Sequence, residues 1–576
     1  MIKKKTIIIT AVCAVILAVL FIGFKLLVKV GNPKYFYNYL HNTKGSLETE
    51  EYKGNIKDAD RKTAKATENT DPGTRGVIER IEADGEVVTS FERKDRIDFN
   101  DDLLKAISDV PGMITFRGNY SRSKSSVGSE SVTKESFTKK WTYNTGKILK
   151  NNGVDYWSGN GWTGQPLLAK WSKEARNKMN MNESARLKEG LIEVIYPGMD
   201  GSIRFLDAET GEETREAIYV GMTFKGTASL YPDGKTPLLF CGSGDAQTGI
   251  FGENVSQRFY IYSLIDGKLL YEGGFNDDFA PRTWHAYDSS PIIDPVSDTL
   301  IYPGENGVIY TMKLNTEYNE ETGTINISPS DMVKFTFDIP DKYKEGGTLW
   351  GSECSGSVWN GYLFMGDNGG SVYCLDLNSM KMVWINDIKE DINSSPVFET
   401  DGGNHYLYIA TTLKYGYDSH NMGIAAIYKF NAMTGEIIWK KPYEVHTVKG
   451  YAGGVLSTGI PGTGLVSDYI FYSVSKTPSL EGGYLVALDK YSGNEIWRTD
   501  LDMYSWSSTV FFTSREGKSY LIQGCQNGDL LLLDAKTGNI LSKLNFGSGI
   551  EATPALYGNR LILATRSEKI FGVLVE

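Results

Sequence analysis

Short hydrophobic runs of strand length, separated by Gly, Asn and Asp, follow one another along the chain after residue 112. Eight of these runs end in a similar turn and recur at intervals of roughly 40 to 65 residues, which is typical of propeller blades. The pattern therefore predicts an all-β protein, an eight-bladed β-propeller of four-stranded antiparallel blades. The eight runs, each predicted as the third strand of a blade, are Gly201–Asp207, Arg258–Leu264, Gly307–Leu314, Gly370–Asp376, Ala425–Asn431, Gly483–Asp489, Gly528–Asp534 and Glu568–Val575.

The turn after four of these runs has the form Asp/Asn-x-x-Thr/Ser-Gly. An Asp or Asn side chain in such a turn accepts hydrogen bonds from the backbone N–H groups ahead of it, and Gly supplies a positive φ. We therefore predict that the turn residues are structural and not catalytic. The four copies begin at Asp207, Asn431, Asp489 and Asp534 and end at Gly211, Gly435, Gly493 and Gly538.

Trp384, Trp439 and Trp497 lie in the runs that follow such turns. On an outer strand, a large aromatic side chain packs against a neighbouring blade while its N–H reaches a carbonyl. We expect this structural role for the three tryptophans.

The two ends of the predicted propeller complement each other. Residues 559–576 supply inner strands without an outer one, whereas residues 137–146 resemble an outer strand, including Trp141, without inner strands before it. Pairing of the two segments would close the ring and remove an open sheet edge. We therefore expect residues 137–146 to complete the eighth blade.

The N-terminus carries the longest apolar segment. Three lysines precede residues 6–27, which are apolar except for Thr10 and Lys25. About 20 such residues span a bilayer, and the lysines favour a cytoplasmic N-terminus. We predict a single-pass cell-membrane protein with a signal anchor in residues 1–30 and an extracytoplasmic propeller. The alternative is a cleaved signal peptide, which has a shorter apolar core and a small-residue cleavage site.

Residues 31–111 are predicted as a juxtamembrane stalk and a small N-terminal segment. Residues 31–75 are mostly polar and resemble a flexible stalk. A hairpin around Asp84-Gly85 and a short helix from Asp101 to Val110 follow, and the propeller occupies residues 112–576.

Composition narrows the possible partners. The net charge of −11 is modest for 576 residues, and the sequence has no basic block, so nucleic-acid binding is not expected. None of the five cysteines forms a Cys-x-x-Cys or an adjacent pair. We expect buried thiols beyond the N-terminus, with a disulfide as the open alternative.

The candidate binding residues come from a phrase that opens each innermost strand, for example Asp288-Ser-Ser-Pro291. The residue three before the Pro position varies between blades, and we expect these residues to ring one mouth of the central channel. Such a ring suits a small polar ligand or a cation such as Ca²⁺, or is simply a solvated funnel. The ring is predicted to contain Thr163, Lys225, Asp288, Glu353, Asn393, Tyr451, Trp506 and Glu551.

Three further residues, Trp162, His285 and Trp350, are predicted near the same mouth. His285 is a candidate general base, although no partner carboxylate is evident on its own strand.

The repeats resemble those of the pyrroloquinoline-quinone (PQQ) family of propellers over about residues 112–576. Phe116-Arg117-Gly118-Asn119 resembles the element that often opens these domains. The family includes quinone-dependent dehydrogenases and non-enzymatic members, among them the propeller lipoprotein of the outer-membrane barrel assembly machinery. The shared fold does not choose between them.

For a dehydrogenase, the resemblance implies PQQ held between a Trp and a disulfide of adjacent cysteines, together with Ca²⁺. The chain has no adjacent cysteines; Trp506 would supply one face of the quinone site. Asp288, Glu353 and Asn393 are Ca²⁺ candidates by residue type alone.

We therefore expect a membrane-anchored extracytoplasmic binding or scaffold protein at the cell envelope, with an envelope protein or a glycan as partner, rather than an enzyme. The alternatives are a PQQ-dependent alcohol or sugar oxidoreductase with Ca²⁺, and a carbohydrate-binding or sensor module.

Overall fold

The structure is a computed structural model. It describes residues 47–52, 63–150, 152–160, 164–245, 247–248, 254–340, 351–413, 421–448 and 450–576. The predicted anchor lies outside these residues, as do Trp162, Thr163 and Trp350. Among the described residues, no helix combines the length and the apolar character needed to cross a membrane.

Eight sheets follow one another along the chain and form an eight-bladed β-propeller, as predicted. Strands within a blade run from the innermost to the outermost. Blade 1 contains Leu167–Ala169, Glu193–Pro197, Ser202–Asp207 and Ile218–Tyr219; blade 2 Ser229–Leu230, Leu238–Gly242, Phe259–Ser263 and Leu269–Gly273; blade 3 Ile292–Asp294, Thr299–Pro303, Ile309–Lys313 and Ser330–Asp338; blade 4 Ser357–Trp359, Tyr362–Gly366, Ser371–Asp376 and Lys381–Asp387.

The second half of the ring is built in the same way. Blade 5 contains Val397–Asp401, Asn404–Ala410, Asn421–Asn431 and Ile437–Thr447; blade 7 contains Val510–Thr513, Ser519–Gly524, Asp529–Asp534 and Ile540–Asn545. Blade 6 contains Tyr469–Ser475, Gly483–Asp489 and Glu495–Leu501, with the short strands Thr412–Leu413, Gly453–Gly454 and Ile460–Pro461 on its inner side. Blade 8 contains Ala555–Tyr557, Arg560–Thr565, Lys569–Val575 and Phe137–Asn144, and the short strand Ser126–Val127 runs parallel to its innermost strand. All eight predicted third strands are confirmed, each with its sequence position within a few residues.

The ring is closed between the two ends of the propeller. Phe137–Asn144 pairs antiparallel with Lys569–Val575, from Phe137 opposite Val575 to Asn144 opposite Lys569. The outer edge of Lys569–Val575 is therefore covered by Phe137–Asn144, a segment more than 400 residues away in sequence.

The blades are not all four-stranded, because N-terminal segments add strands to two of them. Glu50–Glu51 pairs with the outer strand of blade 5, opposite Lys440 and Trp439. The hairpin Ile78–Ala83 and Glu86–Val88 extends blade 3, with Asp84 and Gly85 at positive φ in its turn. The predicted hairpin is therefore confirmed.

The prediction of a flexible stalk up to residue 75 is wrong for its described part. Thr70 is fully buried, and its hydroxyl donates to the carbonyl of Thr434 at 2.7 Å. Its own carbonyl accepts from the Ile385 N–H. Polar composition suggested a stalk, but these polar groups bond to blades 4 and 5.

Helices are few and lie outside the blades. Asp101–Asp109 forms the predicted short helix, whose N-cap Asn100 accepts from the Leu103 N–H and whose Ile107 is buried. The helices Lys173–Lys178 and Glu183–Leu187 lie between the first two strands of blade 1, and 3₁₀ turns occupy Phe116–Gly118 and Gly464–Val466. Hairpins outside the blades pair Lys147–Leu149 with Tyr156–Ser158, Gln247–Thr248 with Asn254–Val255, and Glu317–Asn319 with Thr324–Asn326.

The core lies between neighbouring blades, and the repeated turns form part of it. Trp439 Nε1 donates to the carbonyl of Lys490 at 3.0 Å, in the turn of the next blade. The same contact joins Trp384 to Ala432, Trp497 to Ala535 and Trp141 to Ala208. The structural role predicted for these tryptophans is confirmed.

The turn residues also do what their sequence predicts. The Asp489 Oδ1 atom accepts from the N–H groups of Tyr491 and Ser492, and Asp534 bonds in the same way. Asp207 accepts from the Glu209 N–H. These carboxylates stabilise the turns between the third and outermost strands of their blades, and they do not line the central channel.

Candidate functional site

Three residues at or before the start of each innermost strand lie at three different depths of the central channel. The variable residue lies at the mouth, the residue two positions later forms an inter-blade hydrogen bond, and the residue five positions later contacts the opposite end. We call the three levels the ring, the girdle and the floor. In blade 3 they are Asp288, Ser290 and Ile293.

The girdle consists of Thr227, Ser290, Ser355, Ser395, Thr458, Ser508 and Thr553. The backbone N–H of one blade donates to the hydroxyl of the next, as from Ser355 to Ser395 at 2.8 Å. Blades 2 and 3 are the exception, because the buried Ser290 hydroxyl has no hydrogen-bond partner among the described residues. Blade 1 joins through the Gln165 N–H, which donates to Thr227 at 2.6 Å, and the Gly164 carbonyl, which accepts from the Thr553 N–H. The remaining girdle bonds run from Ser290 to Ser355, Ser395 to Thr458, Thr458 to Ser508 and Ser508 to Thr553.

The girdle corrects one predicted ring residue. In blade 6 the girdle hydroxyl belongs to Thr458, so the ring position two residues earlier is Leu456 and not Tyr451. Tyr451 lies in an irregular segment before it, where its side chain is 53% exposed. The position was predicted wrongly because blade 6 contains extra short strands, which displace the motif that opens the innermost strand in the other blades.

Residues 113–127, the plug segment, form the floor of the channel. The segment contacts the floor position of seven blades through backbone or hydroxyl hydrogen bonds. These contacts join Met113 to Leu168, Ile114 to Leu230, Tyr120 to Ile293 and Val358, Ser121 to Phe398, Ser125 to Phe511, and Ser126 to Leu556.

Blade 6 is the exception, because its floor position is Pro461, which has no N–H. There the plug segment donates instead. The buried guanidinium of Arg117 bonds to the carbonyl of Gly459 at 3.1 Å and to that of Thr509 in blade 7 at 2.7 Å. The element that resembled a family signature in the sequence thus closes one end of the channel.

The open end of the channel contains a cavity of about 350 Å³. A second cavity of about 30 Å³ lies deeper, between the ring, the girdle and Phe116 of the plug segment. Asp288, Glu353, Asn393 and Leu456 line both cavities. The channel is therefore a blind funnel, open at the mouth and closed by the plug segment. The wider cavity is also lined by Lys225, Trp506, Arg282, Trp284, Glu305 and Asp391.

The charged side chains of the mouth form ion pairs and hydrogen bonds between neighbouring loops. Lys225 Nζ lies 2.9 Å from Asp245 Oδ2, and Arg282 lies 3.4 Å from Glu305. Trp284 Nε1 donates to the second oxygen of Glu305 at 3.0 Å. Both cations of the wider cavity thus already face a carboxylate.

Asp391 and Asp288 differ in their hydrogen bonding. The Asp391 oxygens accept from Asn368 at 2.9 Å, Asn393 at 2.8 Å and Thr412 at 3.1 Å. The Oδ1 atom of Asp288 is buried and accepts no hydrogen bond from any described residue. A buried carboxylate oxygen without a donor is costly and unusual in a folded protein.

The crowding of carboxylates changes their acidity. Burial raises the pKa of Asp288 to about 7; Lys225 opposes the shift, and Glu353 adds to it. Burial, Glu353 and Asp288 raise the pKa of Glu305 well above its usual value. Burial lowers the pKa of Lys225, but Asp288 and Asp245 outweigh it and raise that pKa overall. The mouth therefore disfavours further negative charge.

Aromatic side chains form the wall at blades 6 and 7. The Trp506 ring stacks on Tyr451, with 6.3 Å between centroids and 21° between planes, and also contacts Tyr504. Trp506 is 2% exposed. Lys476 Nζ lies 3.7 Å from the centroid of the Tyr504 ring.

These residues do not fit the quinone that the family resemblance implies. A stacking face of Trp506 is covered by Tyr451, and the sequence has no adjacent cysteines for the other side. The described cysteines, Cys241, Cys354, Cys374 and Cys525, are buried free thiols.

The Ca²⁺ candidates Asp288, Glu353 and Asn393 occupy the ring in three successive blades. The Asn393 amide nitrogen is directed to Asp391, not to Glu353. Within the described ranges, no group of three or more His, Cys, Asp or Glu side chains could hold a metal ion.

Two further predicted residues, Glu551 and His285, do not line either cavity. Glu551 accepts from Gln526 at 2.6 Å and lies 3.4 Å from Arg566. His285 is buried with its Nδ1 atom 3.2 Å from the Asn306 amide, and burial lowers its pKa although Asp277 opposes the shift. Thr163, Trp162 and Trp350 lie outside the described residues.

Four residues that line the cavity were not predicted from the sequence, and they are the loop residues Arg282, Trp284, Glu305 and Asp391. Glu305 had a detectable signal, because Gly304-Glu305-Asn306-Gly307 precedes a third strand as Gly366-Asp367-Asn368-Gly369 does. Glu305 lies in a loop between the second and third strands of blade 3, whereas Arg282, Trp284 and Asp391 lie in connections between one blade and the next. All four residues line the same cavity at the mouth.

A comparison with protein families supports this architecture. Residues 481–573 match the PQQ_2 family model, described as outer membrane protein assembly factor BamB. The matched region spans the outer strands of blade 6, blade 7 and the chain-terminal strands of blade 8. The chain is an eight-bladed propeller in which residues 481–573 match repeats of the PQQ type. No curated protein matches the propeller significantly.

Solved structures similar to the propeller include BamB from Moraxella catarrhalis, at 14% identity and a TM-score of 0.44, covering 76% of this chain and 99% of that one. Quinohemoprotein alcohol dehydrogenase from Comamonas testosteroni matches at 14% identity and a TM-score of 0.39, covering 84% of this chain and 83% of that one.

Proposed function

We propose that this propeller is an extracytoplasmic binding protein of the cell envelope, anchored by its N-terminal apolar segment, that takes a small polar ligand into its channel mouth. The observation that carries the proposal is the blind funnel, with a cavity of about 350 Å³ above a closed floor. Ligand sites in proteins are concave, with a few convergent polar groups among apolar walls.

The polar groups of the mouth occupy positions that are not needed for hydrogen bonds between the innermost strands of neighbouring blades. Girdle hydroxyls and floor amides hold neighbouring blades together, whereas ring residues differ in charge and size from blade to blade. Asp288, Asn393 and Leu456, for example, occupy equivalent positions. Variation in charge and size at these positions does not help to hold the blades together, but it is suited to contacts with a ligand.

A scaffold role in envelope assembly is the second candidate. It is favoured by the family model matched at residues 481–573, whose description names an assembly factor. This role would use the rim or the loops, and it does not require a ligand in the funnel.

The binding proposal is tested with the full chain in detergent micelles, screened by thermal shift against sugars, amino acids, amines and carboxylates. A ligand present at about 100 times its Kd stabilises the folded state by about 2.7 kcal/mol. We expect at least one compound class to raise the melting temperature. Recovery of the full chain in alkali-washed membranes, and its release when residues 1–30 are deleted, tests the anchor.

The matched variants are Leu456→Trp, which fills the cavity, and Leu465→Trp, at a residue that is 79% exposed. The melting-temperature shift should disappear in Leu456→Trp and persist in Leu465→Trp. A panel without any stabilising compound, or a shift that survives Leu456→Trp, would overturn the binding proposal and leave the scaffold role.

A further inference from the structure

The charges at the channel mouth do not balance. Asp245, Asp288, Glu305, Glu353 and Asp391 contribute carboxylates, whereas the described cations that line the cavity are Lys225 and Arg282. Lys476 lies behind this lining, against the Tyr504 ring at blades 6 and 7. Lys225 faces Asp245 and Arg282 faces Glu305, so those charges offset one another. An excess of negative charge remains on the side of the funnel formed by blades 3 to 5.

Asp288 shares the charge of Lys225 with Asp245, and its hydrogen bonding is incomplete. Its Oδ1 atom is buried without a hydrogen-bond donor among the described residues. The side chain lines both the wide and the narrow cavity. Its neighbour in the next blade, Glu353, lines the same two cavities. A cationic donor entering the funnel would meet both side chains.

Most other carboxylate oxygens at the mouth already form hydrogen bonds or ion pairs. Glu305 receives Arg282 and the Trp284 N–H, and Asp391 accepts from three side chains. Ca²⁺ requires about six to eight oxygen ligands. An ammonium group needs few acceptors, because it offers three N–H donors and binds carboxylates as a compact charge.

The opposite wall is apolar. Blade 7 lies four blades from blade 3 in the eight-bladed ring, so Trp506 lies across the funnel from Asp288. Leu456 and Ala452 of blade 6 line the same wall. The cavity therefore has an acidic side and an apolar side, which suits an elongated solute with a charged end and a carbon frame.

We propose that the channel mouth selects a small organic cation, whose ammonium group lies between Asp288 and Glu353 and whose carbon frame lies against Leu456 and Trp506. This inference rests on the proposed function, since it specifies the ligand of the same funnel. It predicts that charge on the ligand, and not its size, decides binding.

The test is calorimetric titration of the full chain with two matched pairs of probes. In each pair, 1,5-diaminopentane with 1,5-pentanediol and glucosamine with N-acetylglucosamine, the frame is kept and the positive charge is removed. We expect at least one amine to bind about 10- to 100-fold more tightly than its neutral partner, as a charge-assisted hydrogen bond provides. Titration with CaCl₂ is the metal arm.

The variants Asp288→Asn and Glu353→Gln should each lower the amine affinity by about tenfold or more. Glu551→Gln is the matched control, because Glu551 is a ring carboxylate that pairs with Gln526 and Arg566 instead of lining the cavity. Its amine affinity should equal that of the unmodified chain. The melting temperature of each variant verifies that the protein is folded.

The outcomes separate this inference from the proposed function. Equal binding of the amine and its neutral partner in both pairs, binding of neither amine, or Ca²⁺ binding lost in Asp288→Asn would overturn the organic-cation inference. In those cases the proposed function stands as long as the thermal-shift panel contains a ligand that Leu456→Trp abolishes. If that panel contains none, the proposed function fails as well.

Discussion

Asp288 and Glu551 are both carboxylates of the ring, but their surroundings give them different chemistry. Glu551 has the Gln526 amide and Arg566 beside it, and these oppose the rise in its pKa that burial causes. Asp288 has Lys225 on one side and Glu353 on the other, and burial brings its pKa to about 7. At this scale, the side chains from neighbouring blades determine whether a mouth carboxylate is ionised.

We predict that Asp288→Asn stabilises the protein at alkaline pH. The pKa of Asp288 in the folded state, about 7, lies above its unfolded value of about 3.9, so ionisation reduces folding stability as pH rises through this window. The variant should gain on the order of 1–3 kcal/mol at pH 8, and the gain should shrink toward pH 4.

Urea unfolding at several pH values measures this effect. Glu92→Gln on the exposed surface is the control, and its stability should follow the unmodified chain at every pH. A constant difference between Asp288→Asn and the unmodified chain from pH 4 to pH 8 would contradict the prediction.

The repeated turn is the element that joins each blade to the next. Its Gly lies beneath the indole of the preceding blade, and a Cβ atom added at Gly493 would lie 2.6 Å from Trp439. Gly211, Gly435 and Gly538 lie equally close to Trp141, Trp384 and Trp497. The Gly is therefore required twice, by its positive φ within the turn and by the contact between blades.

We predict that Gly493→Ala costs about 2–4 kcal/mol, because it combines left-handed backbone strain with overpacking against Trp439. The matched control is Gly517→Ala, which shares a positive φ (+87°) but has no atom within 4 Å of the added Cβ. It should cost about 1 kcal/mol. Urea midpoints of the two variants give the comparison, and equal losses would show that the inter-blade contact contributes nothing.

The whole molecule depends on two segments that lie before the first blade in sequence. The plug segment contacts every blade, and Phe137–Asn144 completes blade 8. Contacts this distant in sequence bring the chain ends together and couple the eight blades. A ring without its closing strand would expose the edge of Lys569–Val575, and unpaired edges promote aggregation.

We predict that replacing Phe137–Asn144 with a Gly–Ser linker of equal length abolishes cooperative unfolding and causes aggregation. The hairpin from Lys147 to Ser158 lies outside the blades, so replacing it in the same way should leave a single unfolding transition. Calorimetry and size-exclusion chromatography measure both outcomes. An unchanged melting temperature after removal of the closing strand would show that the ring does not need it.

Local physical chemistry explains why so much of the fold is predictable. The Asp489 turn, the Trp439 position and the short helix from Asp101 depend on hydrogen bonds and side-chain directions within a few residues. The residues of the site were harder to predict from the sequence than the fold was. Glu305 and Arg282 come from loops whose convergence at one mouth depends on the ring, and the stalk composition did not reveal that Thr70 packs on the blades.

The number of blades, their third strands and the identity of the turn residues follow from the amino-acid sequence, because each repeat has its own strand period and turn chemistry. Only the tertiary structure decided that Leu456 and not Tyr451 joins the ring, since the girdle bond of Thr458 comes from neighbouring blades. The tertiary structure also leaves Asp288 Oδ1 without a hydrogen-bond donor among the described residues and closes the funnel with the plug segment. These features depend on contacts between blades, which no single repeat contains.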